Sequence, residues 1–225
     1  MKMKQSILAG AVAVSAMASA ALAPVANAEV SASVGAANMY YWRGYDLGNG
    51  DPAIWGDINV SGNGAYAGMW ASSGDASAGT EYDLYVGYGS SVGDFSYDFS
   101  LWTYAYPSTK ETTADLDTGS LVQESTPTSP GDLVEFITGL GYGPVSVTYY
   151  HGLEDLDEYW YATVGLSAGD FAFTYGLHED DYAHFDIGYA YNDNLSFTLG
   201  LVADDADFGV SDEAKFVVGF SIPIE

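Results

Sequence analysis

Phe171-Ala-Phe-Thr-Tyr-Gly-Leu177 puts Phe171, Phe173, Tyr175 and Leu177 at every second position, with Ala172, Thr174 and Gly176 between them. Successive side chains of a strand point to opposite faces, so this segment has one large apolar face and one small or polar face. Leu195-Ser-Phe-Thr-Leu-Gly-Leu201, Val145-Ser-Val-Thr-Tyr149 and Phe216-Val-Val-Gly-Phe220 repeat the arrangement. From Val30 onward the chain is a series of such segments, each about ten residues long and closed by a turn, as transmembrane β-barrel strands are. The pattern predicts an all-β fold, a transmembrane antiparallel up-and-down barrel of about twelve strands within a range of about 10–14.

The expected strands span 30–42, 53–60, 65–72, 80–89, 94–106, 132–140, 144–151, 158–167, 170–178, 182–191, 194–203 and 214–224. Their connections alternate in kind. Every second one is tight: Gly62-Asn-Gly64, Ser90-Ser-Val-Gly-Asp94, Gly141-Tyr-Gly-Pro144, Ala168-Gly-Asp170 and Asn192-Asp-Asn194. Gly, Asn and Asp tolerate the positive φ that short hairpins require. The remainder (43–52, 73–79, 107–131, 154–158, 179–181 and 204–213) are longer or more acidic. Short turns on one rim and long loops on the other distinguish an outer-membrane barrel from a soluble β-sandwich. An even strand count brings both termini to the short-turn, periplasmic side. Segment 107–131, rich in Thr, Ser, Asp and Pro, is long enough to fold inward and narrow a pore, or to stand out as a solvated loop.

Residues 1–28 read as a cleaved signal peptide. Lys2 and Lys4 precede an apolar run from Ile7 to Leu22, and Ala26-Asn27-Ala28 is a small-x-small cleavage site. Residues 29–225 then form a single barrel domain. The absence of Cys excludes disulfides, thiolate metal sites and cysteine nucleophiles. Beyond the leader, Arg43, Lys110 and Lys215 are the basic residues against 31 acidic ones. Nucleic acid is excluded as a partner, because neutralising phosphates takes clustered Lys and Arg.

Several segments resemble the TorF-type porin family of outer-membrane barrels. They are Tyr41-Trp-Arg-Gly44 with Gly50-Asp-Pro-Ala53, Ala65-Tyr-Ala-Gly-Met-Trp-Ala-Ser72, Glu81-Tyr-Asp-Leu-Tyr-Val-Gly-Tyr88, Gly93-Asp-Phe-Ser-Tyr-Asp98 and Tyr104-Ala-Tyr-Pro107. The resemblance covers the first half of the mature chain in residues and the second half in pattern. It implies a bacterial outer-membrane location and a porin role, with no substrate attached. One departure is the C-terminus: such barrels usually end on an aromatic residue, whereas this chain ends Pro223-Ile224-Glu225.

Strand parity assigns faces. Tyr82, Leu84 and Val86, then Phe95, Tyr97, Phe99 and Leu101, and Phe185, Ile187 and Tyr189 are expected to meet lipid. Aromatics near strand ends, Trp42, Tyr106 and Trp160, are the candidates for the interfacial girdles. The same parity sends Asp57, Asp83, Asp98, Glu135 and Asp186 inward, together with Arg43, His184 and Lys215. A basic residue on the lipid face at mid-bilayer would cost roughly 2–4 kcal/mol, so these charges imply a polar interior. They are the pore-lining candidates, with Asp57 and Asp83 as expected partners of Arg43.

The expected function is therefore a porin passing small hydrophilic solutes, with cations preferred because inward acids outnumber inward bases. No enzyme, cofactor or metal site is expected. A closed-lumen structural or surface-recognition barrel is the alternative. A rim lipid hydrolase is a third reading: His151, His178 and His184 lie near strand ends, but no sequence signature puts a serine nucleophile and orienting acid within reach. Asp204-Asp-Ala-Asp-Phe-Gly-Val-Ser-Asp-Glu213 fails the EF-hand spacing, since Gly209 stands at the fifth ligand position. Loose divalent cations bridging acidic loops, and outer-membrane lipid, are the other expected partners.

Overall fold

The computed structural model describes residues 28–108, 110–115, 120–125, 127–206 and 213–224. The expected signal peptide up to residue 27, Gly209 and the terminal Glu225 fall outside the described residues. Twelve antiparallel strands close into a barrel. They are β1 (Glu29–Ala37), β4 (Ala53–Gly62), β5 (Ala65–Asp75), β6 (Gly79–Val92), β7 (Phe95–Ala105), β10 (Leu133–Tyr142), β11 (Val145–Glu154), β12 (Trp160–Ala168), β13 (Phe171–His178), β14 (Ala183–Ala190), β15 (Leu195–Asp204) and β16 (Lys215–Ile224). Each strand pairs with its neighbours in the barrel, and β1 closes the ring against β16 from Ala32↔Ile224 to Ala37↔Gly219. Pro223, which cannot donate to a ladder, lies beyond Leu195↔Phe220, the last pair with β15.

The short rim is built as expected. Gly62 pairs with Ala65 across Asn63-Gly64, whose φ values of 51° and 87° are those of a two-residue hairpin turn. Val92↔Phe95, Tyr142↔Val145 and Ala168↔Phe171 close equally short turns. The other rim carries the long connections. The longest of them contains its own two-stranded sheet, β8 (Lys110–Asp115) against β9 (Ser120–Ser125).

Parity holds around the ring. Val86, Phe99, Leu101, Val164 and Phe216 are all more than 40% exposed on the outer face. An apolar belt this extensive suits lipid rather than water as solvent. Closure leaves no strand edge unpaired, which a hydrocarbon surround demands.

One boundary differs by more than three residues. The first strand ends at Ala37, not at residue 42, and residues 38–52 leave the wall. Within them β2 (Tyr41–Trp42) pairs with β3 (Tyr45–Asp46) as a separate hairpin. Trp42 is consequently not a girdle residue, and neither is Tyr106, whose hydroxyl bonds to Glu81. Trp160, opposite His151 on the outer face, keeps the expected side.

Candidate functional site

Residues 38–52 fold into the mouth of the barrel at the long-loop rim. Asn38 turns the chain off the wall: its Nδ2 donates to the Phe216 carbonyl (2.9 Å) and its Oδ1 accepts from the Val218 amide (2.6 Å). Arg43-Gly44 forms the tip, with φ of 47° and 93°. Left-handed backbone at an arginine costs on the order of 1–2 kcal/mol, so something must hold it there. Asp46 accepts from the Gly48 and Gly50 amides (3.1 and 2.8 Å), and Leu47 accepts from Ala76, fastening the return of the hairpin.

The Arg43 side chain explains the strain. Nη1 and Nη2 donate to the two oxygens of Glu135 on β10, each at 2.7 Å, and Nη1 also donates to the Tyr159 hydroxyl at 2.8 Å. The guanidinium lies over Tyr150 and Trp42 (4.3 and 4.5 Å to the ring centres) and Tyr161 (4.9 Å). Tyr104 donates to the same Glu135 carboxylate. Burial alone would lower the Arg43 pKa, but the Glu135 charge and hydrogen bonds outweigh it and hold the guanidinium protonated. A bidentate fork over aromatic faces is something Lys could not reproduce.

Further contacts pin the hairpin to the opposite wall. The Arg43 carbonyl lies 2.9 Å from His178 Nε2, so that nitrogen carries the proton, and Nδ1 faces the Tyr159 hydroxyl at 3.3 Å. Tyr182 donates to the Gly44 carbonyl (3.0 Å) and Tyr41 to Asp186 (2.6 Å). Asp186 also meets His184 Nδ1 (3.2 Å), whose Nε2 contacts the Tyr161 hydroxyl (2.8 Å). Tyr40 donates to Glu81, as does Tyr106 (2.6 Å). Burial, then the neighbouring carboxylate, pushes the Tyr40 and Tyr41 phenols well above their ordinary value, so both stay donors. A Cβ on Gly44 would come within 2.8 Å of His184 Cγ, so the tip needs glycine for space as well as for φ.

The half of the lumen towards the short turns is different. Tyr85 donates to Asp57 (2.8 Å) and accepts from Asn59 (3.2 Å), while Tyr66 donates to Asp98 (2.8 Å). Tyr85 stacks on Trp102 at 4.3 Å. Tyr85 is buried, but Asp57, Asn59, Tyr66, Asp98 and Trp102 are partly exposed, and the facing wall offers small partly exposed residues: Thr148, Thr163, Thr174, Gly188 and Thr198.

All eight expected inward residues lie on the lumen side, in separate groups. Arg43 and Glu135 form the central ion pair, Asp83 is fully buried beside them, and His184 and Asp186 form the second wall of the same knot. Asp57 and Asp98 sit apart in the short-turn half, and Lys215 stands at the long-loop end of β16, opposite Gly200. The expected partners of Arg43 are corrected: the carboxylate that holds it is Glu135, because the hairpin carries the guanidinium away from β4. Parity alone missed Glu81, which shares the inner face of β6 with Asp83, and the ring of tyrosines that carry the contacts. His178 and His184 point inward, whereas His151 is exposed. Among the described residues no group of three or more His, Cys, Asp or Glu converges as a metal site.

A family model described as a bacterial protein of unknown function (Gcw_chp) matches residues 21–217. No curated protein matches the sequence. Among solved structures the chain is similar to the outer membrane protease OmpT from Escherichia coli, with 9% identity, a TM-score of 0.24, and coverage of 86% of this chain and 92% of that one. At that level nothing of the protease's chemistry transfers.

Proposed function

The chain belongs to the Gcw_chp family of bacterial proteins of unknown function, so its role must come from its geometry, and we propose that it is a gated outer-membrane porin. In this reading the long-loop rim faces outward, and small hydrophilic solutes pass by diffusion with no covalent step. The inward-folded hairpin 38–52, held by the Arg43–Glu135 pair, is the observation that carries the gate. The half-exposed Asp57 and Asp98 and the small-residue wall behind it support a watery, cation-preferring passage. A hydrolase is disfavoured because both inward histidines spend their two ring nitrogens on tyrosines, Asp186 and the Arg43 carbonyl.

Planar-bilayer recording tests the proposal. The native chain should give small, infrequent openings, and Arg43→Ala should give steady conductance several-fold larger and cation-selective. Wide, steady conductance from the native chain would defeat the gate, and anion preference would defeat the selectivity. Silence from both proteins would favour a closed-lumen structural or surface-recognition barrel. That second reading draws on the ion pair itself, since breaking a buried pair costs roughly 3–5 kcal/mol.

A further inference from the structure

The Arg43 guanidinium sits in a box that its own hairpin hardly builds. Glu135 on β10, Tyr104 on β7, Tyr150 on β11 and Tyr161 on β12 are buried residues of the barrel wall, and Tyr159 lies immediately before β12. The two Glu135 oxygens each accept from one terminal nitrogen at 2.7 Å, and the Tyr159 hydroxyl accepts a further bond at 2.8 Å. Tyr104 donates to the same carboxylate and fixes its orientation. The Tyr150 and Tyr161 ring centres lie 4.3 and 4.9 Å from the guanidinium carbon. Arg43 Nε is buried too, yet among the described residues it meets no acceptor. The wall therefore recognises the terminal fork and its flat faces, and makes no polar contact with the stem behind them.

That chemistry selects a ligand class. Paired carboxylate oxygens between aromatic faces suit a planar, weakly hydrated cation with two parallel donors. An ammonium is a strongly hydrated point charge without the fork, and a neutral amide would leave the buried Glu135 uncompensated. Room for the ligand is not in question, because Arg43 fills it. The present occupant is also detachable. β1 pairs with β4 from Glu29↔Ser61 to Ala37↔Ala53, so the wall stays closed without residues 38–52. The tip carries Arg43 at a φ of 47°, which a non-glycine residue adopts only when held. We propose that the box around Glu135 is a binding site for small solutes bearing a guanidinium group on an alkyl stem, with Arg43 as an internal occupant that such a solute displaces. The binding rests on the box alone, and the displacement rests on the gated reading above.

The test is chemical rescue of Arg43→Ala, as the full chain folded in detergent at neutral pH and constant ionic strength. Ethylguanidinium chloride, which restores the deleted atoms, is titrated in the low-millimolar range against ethylammonium chloride. The thermal midpoint should rise saturably by a few degrees with ethylguanidinium alone, because a ligand that binds only the folded state stabilises it by mass action. Adding Glu135→Gln should abolish the rise while leaving the protein at least as stable, since it removes the stranded buried charge. No rise, an equal rise with ethylammonium, or a full rise in the double variant overturns the binding site. In the native chain ethylguanidinium should speed amide hydrogen exchange across 38–52 several-fold and leave β10 and β11 protected. Unchanged exchange overturns the displacement. If Arg43→Ala fails to assemble, the native exchange decides alone, a rise supporting the proposal and no change overturning it. Conductance enters neither arm. Rescue in a chain that never conducts would keep the site and defeat the passage, while a conducting Arg43→Ala that ignores ethylguanidinium would do the reverse.

Discussion

In the long-loop half of the lumen Arg43 is 3% exposed, Glu135 1% and Asp83 0%, while in the short-turn half Asp57 and Asp98 remain partly open to solvent. Both halves place acids on the inner face by the same alternation, and both satisfy acids with tyrosine hydroxyls. The difference is a segment that belongs to neither wall. Where residues 38–52 enter, wall residues from β6, β10, β13 and β14 bond to the hairpin and close over it. Where they do not reach, Asp57, Tyr66 and Asp98 stay partly exposed. Barrel parity thus decides which residues face the lumen, and the loop decides how deeply they are buried.

The most severe way to test that division is to remove one acid from each half. Glu135→Ala strands a buried guanidinium and should cost about 3–5 kcal/mol, the loss seen when a buried ion pair is broken. Asp98→Ala removes one partner of Tyr66, whose partly exposed hydroxyl can turn to water, and should cost about 1 kcal/mol or less. Urea unfolding of the two variants in the same detergent measures both. Equal losses would mean that the halves are not energetically distinct.

A gentler comparison uses glycines. A Cβ on Gly200 would collide with the Tyr41 ring, which lies against the β15 backbone, whereas a Cβ on Gly188 meets nothing nearer than 3.7 Å. Gly200→Ala should therefore lose about 1–3 kcal/mol by overpacking, or push the hairpin partly out of the mouth. Gly188→Ala should stay within about 0.5 kcal/mol of the native chain. Protease sensitivity within 38–52, alongside urea midpoints, separates expulsion from simple strain. A silent Gly200→Ala would show that Tyr41 is free to move, and that the hairpin is loosely held on this side.

The wall was legible in the sequence because its signals are local. Alternation as at Phe171–Leu177 fixed the outer face, and Asn63-Gly64 announced a two-residue hairpin. The inward hairpin was not legible, because Met39-Tyr-Tyr-Trp42 continues the apolar run of the first strand and nothing in the period marks the exit at Asn38. The signal that existed was Arg43-Gly44 followed by Asp46, Gly48 and Gly50, a turn-rich run too close to the strand to be its loop alone. Glu135 as the partner of Arg43 could not be read, since the two lie 92 residues apart and meet only through the closed ring. The inward placement of Asp83 was readable, but its full burial was not, because that depends on what the hairpin covers.

The smallest expected effect lies in the short-turn half and bears on the proposed transport rather than stability. Asp57 and Asp98 are held by one tyrosine each and face the small-residue wall, so neutralising them removes charge without disturbing the fold. In the Arg43→Ala background, where the passage is expected to conduct, adding Asp57→Asn and Asp98→Asn should lower cation preference modestly and leave the urea midpoint of that background almost unchanged. The effect should shrink with added salt, because the Debye length falls from about 30 Å at 0.01 M to about 3 Å at 1 M. The reversal potential in a salt gradient reads this directly. If the preference is unaltered at low salt, the acids of the short-turn half do not meet the permeating ions, and selectivity must reside in the knot around Glu135 and Asp186 instead.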